Sequence, residues 1–301
     1  MKNVFFIVGP TAVGKSEVAA EVARICDGEV VSADAFQIYA GLSLLTAKPD
    51  NTTIAKVPHH LIGTVPLSEP MNAERFRVAA NSAIEGTHAR GKCAFVVGGS
   101  GMYVQALTNG LSPLPEADRG LRREFEQRTT AELLALLREK DPETAARIHA
   151  KNRHRIVRVL EICLLTGLRT SELRRRIPPA QEPAGVLLFR ERAELYDRIN
   201  ERVLRMFEHG AVDEVRAVGE TSATAAKALG LSHIRELLAG GISDAECVAQ
   251  IQQASRRYAK RQLTWFQRQT NFEPLNLSLH GSSEAIEMIA RKARLSFVQN
   301  G

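Results

Sequence analysis

The stretch Val4-Phe5-Phe6-Ile7-Val8-Gly9-Pro10-Thr11-Ala12-Val13-Gly14-Lys15-Ser16 decides the fold. Val4 to Val8 form an unbroken apolar run, the mark of a strand buried on both faces. Gly9 to Ser16 then fit G-x-x-x-x-G-K-[ST], a Gly-rich turn running into a helix that opens at Lys15-Ser16. The glycines let backbone N–H groups turn inward around an anion. The helix N-terminus adds a partial positive charge and Lys15 a full one. Gly9, Pro10, Thr11, Ala12, Val13, Gly14, Lys15 and Ser16 are therefore read as a cradle for a di- or triphosphate. Ser16 offers its hydroxyl to a phosphate-bound Mg²⁺. The Thr11 hydroxyl, inside the loop, suits the bridging oxygen of a departing phosphate or diphosphate.

Outward from this loop the chain alternates strand and helix. A helix is predicted over 15–26, a strand over 29–32 ending at Ala33-Asp34, a helix over 73–90 and a strand over 93–97. From about 121 to 176 the pattern becomes Glu/Arg/Leu-rich at helical spacing. Leu133, Leu134, Leu136 and Leu137 form one apolar stripe, and Ile156, Val159, Leu160 and Leu164 another. Pro178-Pro179 ends the segment, and Gly185 to Phe189 read as a strand again. Helices follow near 194–208, 211–218, 231–239, 243–268 and 283–297. The expected architecture is α/β: a P-loop NTPase-like parallel sheet core with flanking helices, made of 1–117 and 184–301. An all-helical insertion domain of 118–183 interrupts it.

Composition narrows the class. The 301 residues are 44% hydrophobic and 25% charged, ordinary globular values. No apolar run reaches membrane-span length. Cys26, Cys93, Cys163 and Cys247 are far apart, which argues against a zinc site or a disulfide framework. Met1-Lys2-Asn3 leads straight into the first strand and leaves no room for a signal peptide. A cytoplasmic monomer without membrane attachment is expected. Net charge is +6 and the pI about 9.3, with basic clusters at Lys151-Arg153-Arg155-Arg158, Arg174-Arg175-Arg176 and Arg256-Arg257-Lys260-Arg261. Such clusters suit a polyanion, although charge clusters are more often solvated helix faces.

The loop's companions decide the chemistry. The strand over 93–97 ends in Gly98-Gly99-Ser100 with no acid, which weakens an ATPase or GTPase reading. The strand over 29–32 ends in Asp34, and C-terminal strand ends of a parallel sheet face the ligand crevice. A carboxylate there serves as a Mg²⁺ ligand, a substrate hook or a general base. Arg198 and Arg202 share a helix face at i, i+4 and could reach one anion, or could pair with Glu194 and Glu201. His59 and His60, adjacent in an extended stretch, point to opposite sides and suit packing better than a single metal. Trp265 and Phe266, beside Lys260 and Arg261, are read as core anchors of an amphipathic helix. On this basis a small-molecule or nucleotide kinase using ATP stays open, as does a noncatalytic RNA-binding module.

In order, GPTAVGKS (9–16), SADAFQIY (32–39), TAKP (46–49), PHHLI (58–62) and VGGSGMY (97–103) resemble the tRNA dimethylallyltransferase family, bacterial type. GLSPLPEAD (110–118), RIHAKNRHRIVRVLEI (147–162), LTGLRTSEL (165–173), R-I-x-x-R (198–202) and KRQLTWF (260–266) extend the resemblance over nearly the whole chain. It implies transfer of a dimethylallyl group from dimethylallyl diphosphate to the N6 amine of the adenosine 3′ of the anticodon, with Mg²⁺ assisting. By similarity Asp34 is the base, Thr11 lies at the bridging oxygen, and Lys15 and Arg202 neutralise the leaving diphosphate. Ser16 contacts the metal. Contacts to the tRNA anticodon stem-loop map onto Asp34, Ala35, Phe36, Gln37, Ser100, Arg122, His154, Arg155, Ile156, Val157, Arg158 and the segment 227–232. The chain departs from the family pattern at Ala35 (usually Ser), Leu44-Leu45 (Ile-Gly), Gly63 (Asp) and Leu229-Gly230-Leu231-Ser232 (Val-Gly-Tyr-Arg).

Overall fold

A computed structural model describes residues 3–111, 114–115, 117–175 and 183–300, with no side-chain description at 174, 175 and 300. Ser112, Pro113 and Glu116 of the GLSPLPEAD segment lie outside the described residues, as do Arg176 and the Pro178-Pro179 pair. The chain divides into two compact units, Met1–Thr108 with Gln181–Gly301, and Asn109–Ala180.

The first unit is built on one sheet. Its strands are β1 (Val4–Val8), β2 (Gly28–Ser32), β3 (His59–His60), β4 (Cys93–Gly98), β5 (Gly185–Phe189) and β6 (Glu273–Asn276). Their order is β3-β2-β4-β1-β5-β6, and every pairing is parallel. β1 lies inside the sheet, which is why all its residues are buried and its sequence does not alternate. β3 and β6 fall where no strand is predicted. β3 is too short to show a period, and β6 carries Pro274, which a sheet edge tolerates because one side needs no N–H.

Strand alternation sorts the core onto the two faces of this sheet. Phe5 and Ile7 join α1 (Lys15–Ile25) and the C-terminal helix on one face. Val4, Phe6 and Val8 meet α3 (Ala73–Ala89) and α4 (Gly101–Thr108) on the other; a short α2 (Asn51–Ile54) precedes β3. Gly14 begins α1 at φ 101°, a left-handed conformation that L side chains resist.

The second unit holds α5 (Arg119–Glu126), α6 (Thr130–Lys140), α7 (Pro142–Arg147), α8 (Arg153–Thr166) and α9 (Thr170–Arg175). Thr129 and Glu132 form a capping box at α6, and Asp141 caps α7 through the Thr144 N–H. The predicted stripes converge: Leu133, Leu134, Leu137, Ile156, Val159 and Leu160 share its core, with Leu136 packed against it. Leu164 departs from the expectation and is 40% exposed, one turn past the buried face.

The chain then returns through β5 to α10 (Arg192–Glu208), α11 (Ala211–Arg216), α12 (Leu231–Leu238), α13 (Asp244–Gln269) and, after β6, α14 (Ser282–Asn300). Phe266 is fully buried and Trp265 packs against the same core, as expected for anchors of an amphipathic helix. Among the described residues no helix is long and apolar enough to cross a membrane.

Candidate active site

Between β1 and α1 the loop turns its carbonyls toward cations. Lys15 Nζ donates to Pro10 O at 2.6 Å, Arg198 Nε to Ala12 O at 3.0 Å and Arg190 Nε to Val13 O at 2.9 Å. Gly9 runs so close to β5 that a Cβ there would stand 2.3 Å from Leu188 O. Val13 buries its side chain in the core and contributes only backbone to the loop. Thr11, Ala12, Gly14, Lys15 and Ser16 line a cavity of about 620 Å³. Gly9, Pro10 and Val13 stand behind them.

Across the same cavity lie Asp34, Gln37, Arg198 and Arg202. Asp34 follows the end of β2, and its Oδ1 accepts from Phe36 N at 2.9 Å and Gln37 N at 3.2 Å. This turn fixes the carboxylate and leaves Oδ2 for a ligand. Ser100 Oγ accepts from Ala35 N at 2.8 Å, which ties the turn to the end of β4. Gln37 donates to Ala47 O at 2.9 Å and so anchors the Thr-Ala-Lys-Pro stretch. The Leu44 and Leu45 N–H groups, where the family pattern usually has Ile-Gly, both donate to Glu214 at 2.9 Å.

Burial is the main electrostatic fact of the site. It lowers Lys15 from its ordinary range to about 8, against the favourable charge of Asp34, with Arg202 adding to the fall. Burial likewise lowers Arg202 to about 10, again opposed by Asp34 and assisted by Arg205. Arg202 Nε is covered and has no hydrogen-bond partner. A donor left this way inside a cationic cavity calls for an anion. The alternative pairings of Arg198 and Arg202 with Glu194 and Glu201 are not made among the described residues. Glu194 instead holds Arg190 at 2.5 Å.

Among the described residues no three His, Cys, Asp or Glu gather to hold a metal. An ion beside the Ser16 hydroxyl would therefore take most of its ligands from a bound diphosphate and water, the usual habit of Mg²⁺. His59 lines the cavity, whereas His60 turns the other way and meets Glu29 at 2.7 Å.

Apart from the segment 227–232, the remaining sequence-predicted contacts lie in the helical unit. Arg122 donates to Glu161 through Nε at 3.0 Å, and Arg158 donates to Glu161 at 2.6 Å and to Pro115 O at 2.6 Å. His154 and Arg155 are exposed, and Val157 is half-buried. Ile156 is a correction: its side chain is fully buried in the unit's core, so it offers no surface to RNA. In the segment 227–232, Lys227 and Ser232 are exposed but Leu231 is fully buried.

Three participants are not among the residues expected from the sequence. Gln262 accepts from Thr11 N at 2.8 Å, Arg190 braces the loop from β5's end, and Glu161 gathers two arginines. Only Glu161 carried a local clue, its i, i+3 spacing from Arg158.

A family model described as IPP transferase matches residues 37–269. The tRNA dimethylallyltransferase of Akkermansia muciniphila is 42% identical over 282 residues, 93% of this chain and 96% of that protein. A tRNA isopentenylpyrophosphate transferase structure from Bacillus halodurans superposes with TM-score 0.74 at 33% identity, covering 100% of this chain and 98% of that one. A eukaryotic dimethylallyltransferase structure, described as acting on tRNA, gives TM-score 0.82 at 26% identity, covering 100% of this chain and 80% of that one. With the sheet order, the phosphate loop and these likenesses in agreement, the chain belongs to the IPP transferase family, that of the tRNA dimethylallyltransferases.

Proposed function

We propose that this protein transfers a dimethylallyl group from dimethylallyl diphosphate to the N6 amine of the adenosine just 3′ of the anticodon in tRNA, releasing diphosphate. The observation that carries the reading is the pairing of one carboxylate, Asp34, with two cations of lowered pKa, Lys15 and Arg202, around a phosphate loop. An exocyclic arylamine is a weak nucleophile, so the main task is to stabilise the leaving diphosphate. The N6 lone pair forms the bond to C1 of the allyl group. The C1–O bond breaks with its electron pair going to diphosphate, and the N6 proton passes to Asp34. Oδ1 is engaged by two backbone N–H groups, so Oδ2 is the accepting atom.

Thr11 donates to the bridging oxygen as charge grows there, and Lys15 and Arg202 neutralise the product. Ser16 would hold Mg²⁺ together with the diphosphate, and the ion when bound offsets further phosphate charge. The target base lies in a stacked anticodon loop and must be extruded to reach the cavity. Exposed cations of the helical unit, Arg155 first, suit backbone phosphates. A kinase reading has no support from the family.

The test mixes protein, Mg²⁺, labelled dimethylallyl diphosphate and an unmodified anticodon stem-loop, with ATP in a parallel tube. Label on the adenosine 3′ of the anticodon, lost when guanosine replaces it, is the expected result. ATP turnover without labelling would refute the reading. Asp34→Ala is expected to slow transfer by about 10²–10⁴-fold, the range of a positioned base, while stem-loop affinity changes much less.

A further inference from the structure

Gln262 lies on α13 with 6% of its area exposed. Its Oε1 accepts from Thr11 N at 2.8 Å and its Nε2 donates to Gly99 O at 2.9 Å. The partners fix the amide's orientation, since an N–H needs the oxygen and a carbonyl needs the NH₂. The side chain passes so closely over Gly99 that a Cβ there would stand 2.2 Å from Nε2. Gly99 is followed directly in the chain by Ser100. Ser100 in turn holds Ala35 N, next to Asp34. A continuous run of contacts therefore joins the loop residue Thr11 to the turn that carries the carboxylate.

We infer that Gln262 is a positioning residue for transfer, setting the Thr11 hydroxyl against the Asp34 turn across the reacting bond. The inference rests on the function proposed above. Gln262 directs the Thr11 N–H to protein, so this N–H is not a phosphate donor, and losing the amide frees the Thr11 backbone to drift. The Thr11 hydroxyl matters most when charge collects on the bridging oxygen. Its displacement should therefore be felt in the transition state more than in binding. A scaffolding role would instead lower stability and raise KM along with the loss of rate.

The test measures kcat and KM for dimethylallyl diphosphate, with the anticodon stem-loop as acceptor, for wild type, Thr11→Val, Gln262→Met, Gln262→Glu and the Thr11→Val/Gln262→Met pair. Gln262→Met is expected to lower kcat by about 10- to 100-fold with KM changed less than about threefold, as for a small misplacement of a reacting group. Gln262→Glu keeps an oxygen for Thr11 N and should recover part of kcat. The double variant should be within about twofold of Thr11→Val, because the amide acts through that residue. Additive losses, or kcat for Gln262→Met within about twofold of wild type, would overturn the inference. Should Gln262→Met lose its helical circular dichroism, the cycle is run with Gln262→Glu and read the same way. A wild type that transfers while the cycle is additive sinks only the positioning role; a wild type that transfers nothing sinks the proposed function with it.

Discussion

In the helical unit, Arg122 and Arg158 converge on Glu161, whose side chain is fully buried. In the α/β unit, Arg202 lines the cavity with a covered Nε that nothing accepts, and among the described residues it has no carboxylate within ion-pair distance. The residue type is the same, and the local setting gives the two sets opposite jobs. A buried carboxylate between two arginines is a structural joint, its cost of desolvation offset by charge-assisted hydrogen bonds. A desolvated guanidinium whose Nε has no acceptor, and which is opposed only by the charge of Asp34, weakens the empty protein and is ready for an anion. Positive charge in a sequence therefore says little about anion binding until it is known what each cation already holds.

The sharpest way to break this comparison is to remove Glu161. Glu161→Ala leaves two arginines facing each other with no counter-charge and should destabilise the helical unit by about 3 kcal/mol, the lower end for a broken buried pair because both arginines are partly exposed. Thermal unfolding would show an earlier transition. An unchanged transition would mean that the joint contributes nothing and that Arg122 and Arg158 are as available as Arg202.

Arg202→Met should act in the opposite direction on stability and more strongly on chemistry. Transfer, as kcat/KM for dimethylallyl diphosphate, is expected to fall by about 10²–10³-fold, the loss typical of one charge-stabilising group. Tm should rise by about 2–4 °C, the shift that about 1 kcal/mol produces in a domain of this size, because a charge whose desolvation outweighs its attraction to Asp34 is gone. A fall in Tm would show that Arg202 is structural after all.

The comparison also explains what could be read from the chain alone. The strand, loop and helix of 4–25 were legible because apolar runs and turn chemistry are local. Asp34 was legible because a parallel sheet aims its strand ends at one crevice. Gln262 was not, because its partner Thr11 lies 251 positions away and nothing near 262 marks which way the amide points. Ile156 was misread as a surface contact because a matched segment brings its buried residues with its exposed ones, and only the helix face separates them. β6 was hidden by Pro274, which argues against a strand everywhere except at an edge.

The smallest effect concerns Lys15, whose burial lowers it to about 8. The empty protein loses the Lys15 charge as pH rises through that value. Since kcat/KM reports the free enzyme, it should fall above pH 8, approaching tenfold per unit. Bound diphosphate favours the charged form, so kcat itself should hold to higher pH. Stability should move the other way. Between about pH 8 and the ordinary lysine range the unfolded chain binds more protons at this group than the folded one, so this group's contribution to folding rises with pH. Lys15→Arg, whose charge persists, should remove the decline in kcat/KM above pH 8. If the wild-type and Lys15→Arg profiles decline together there, another group titrates, and the cation that meets the diphosphate is not under the control of its burial.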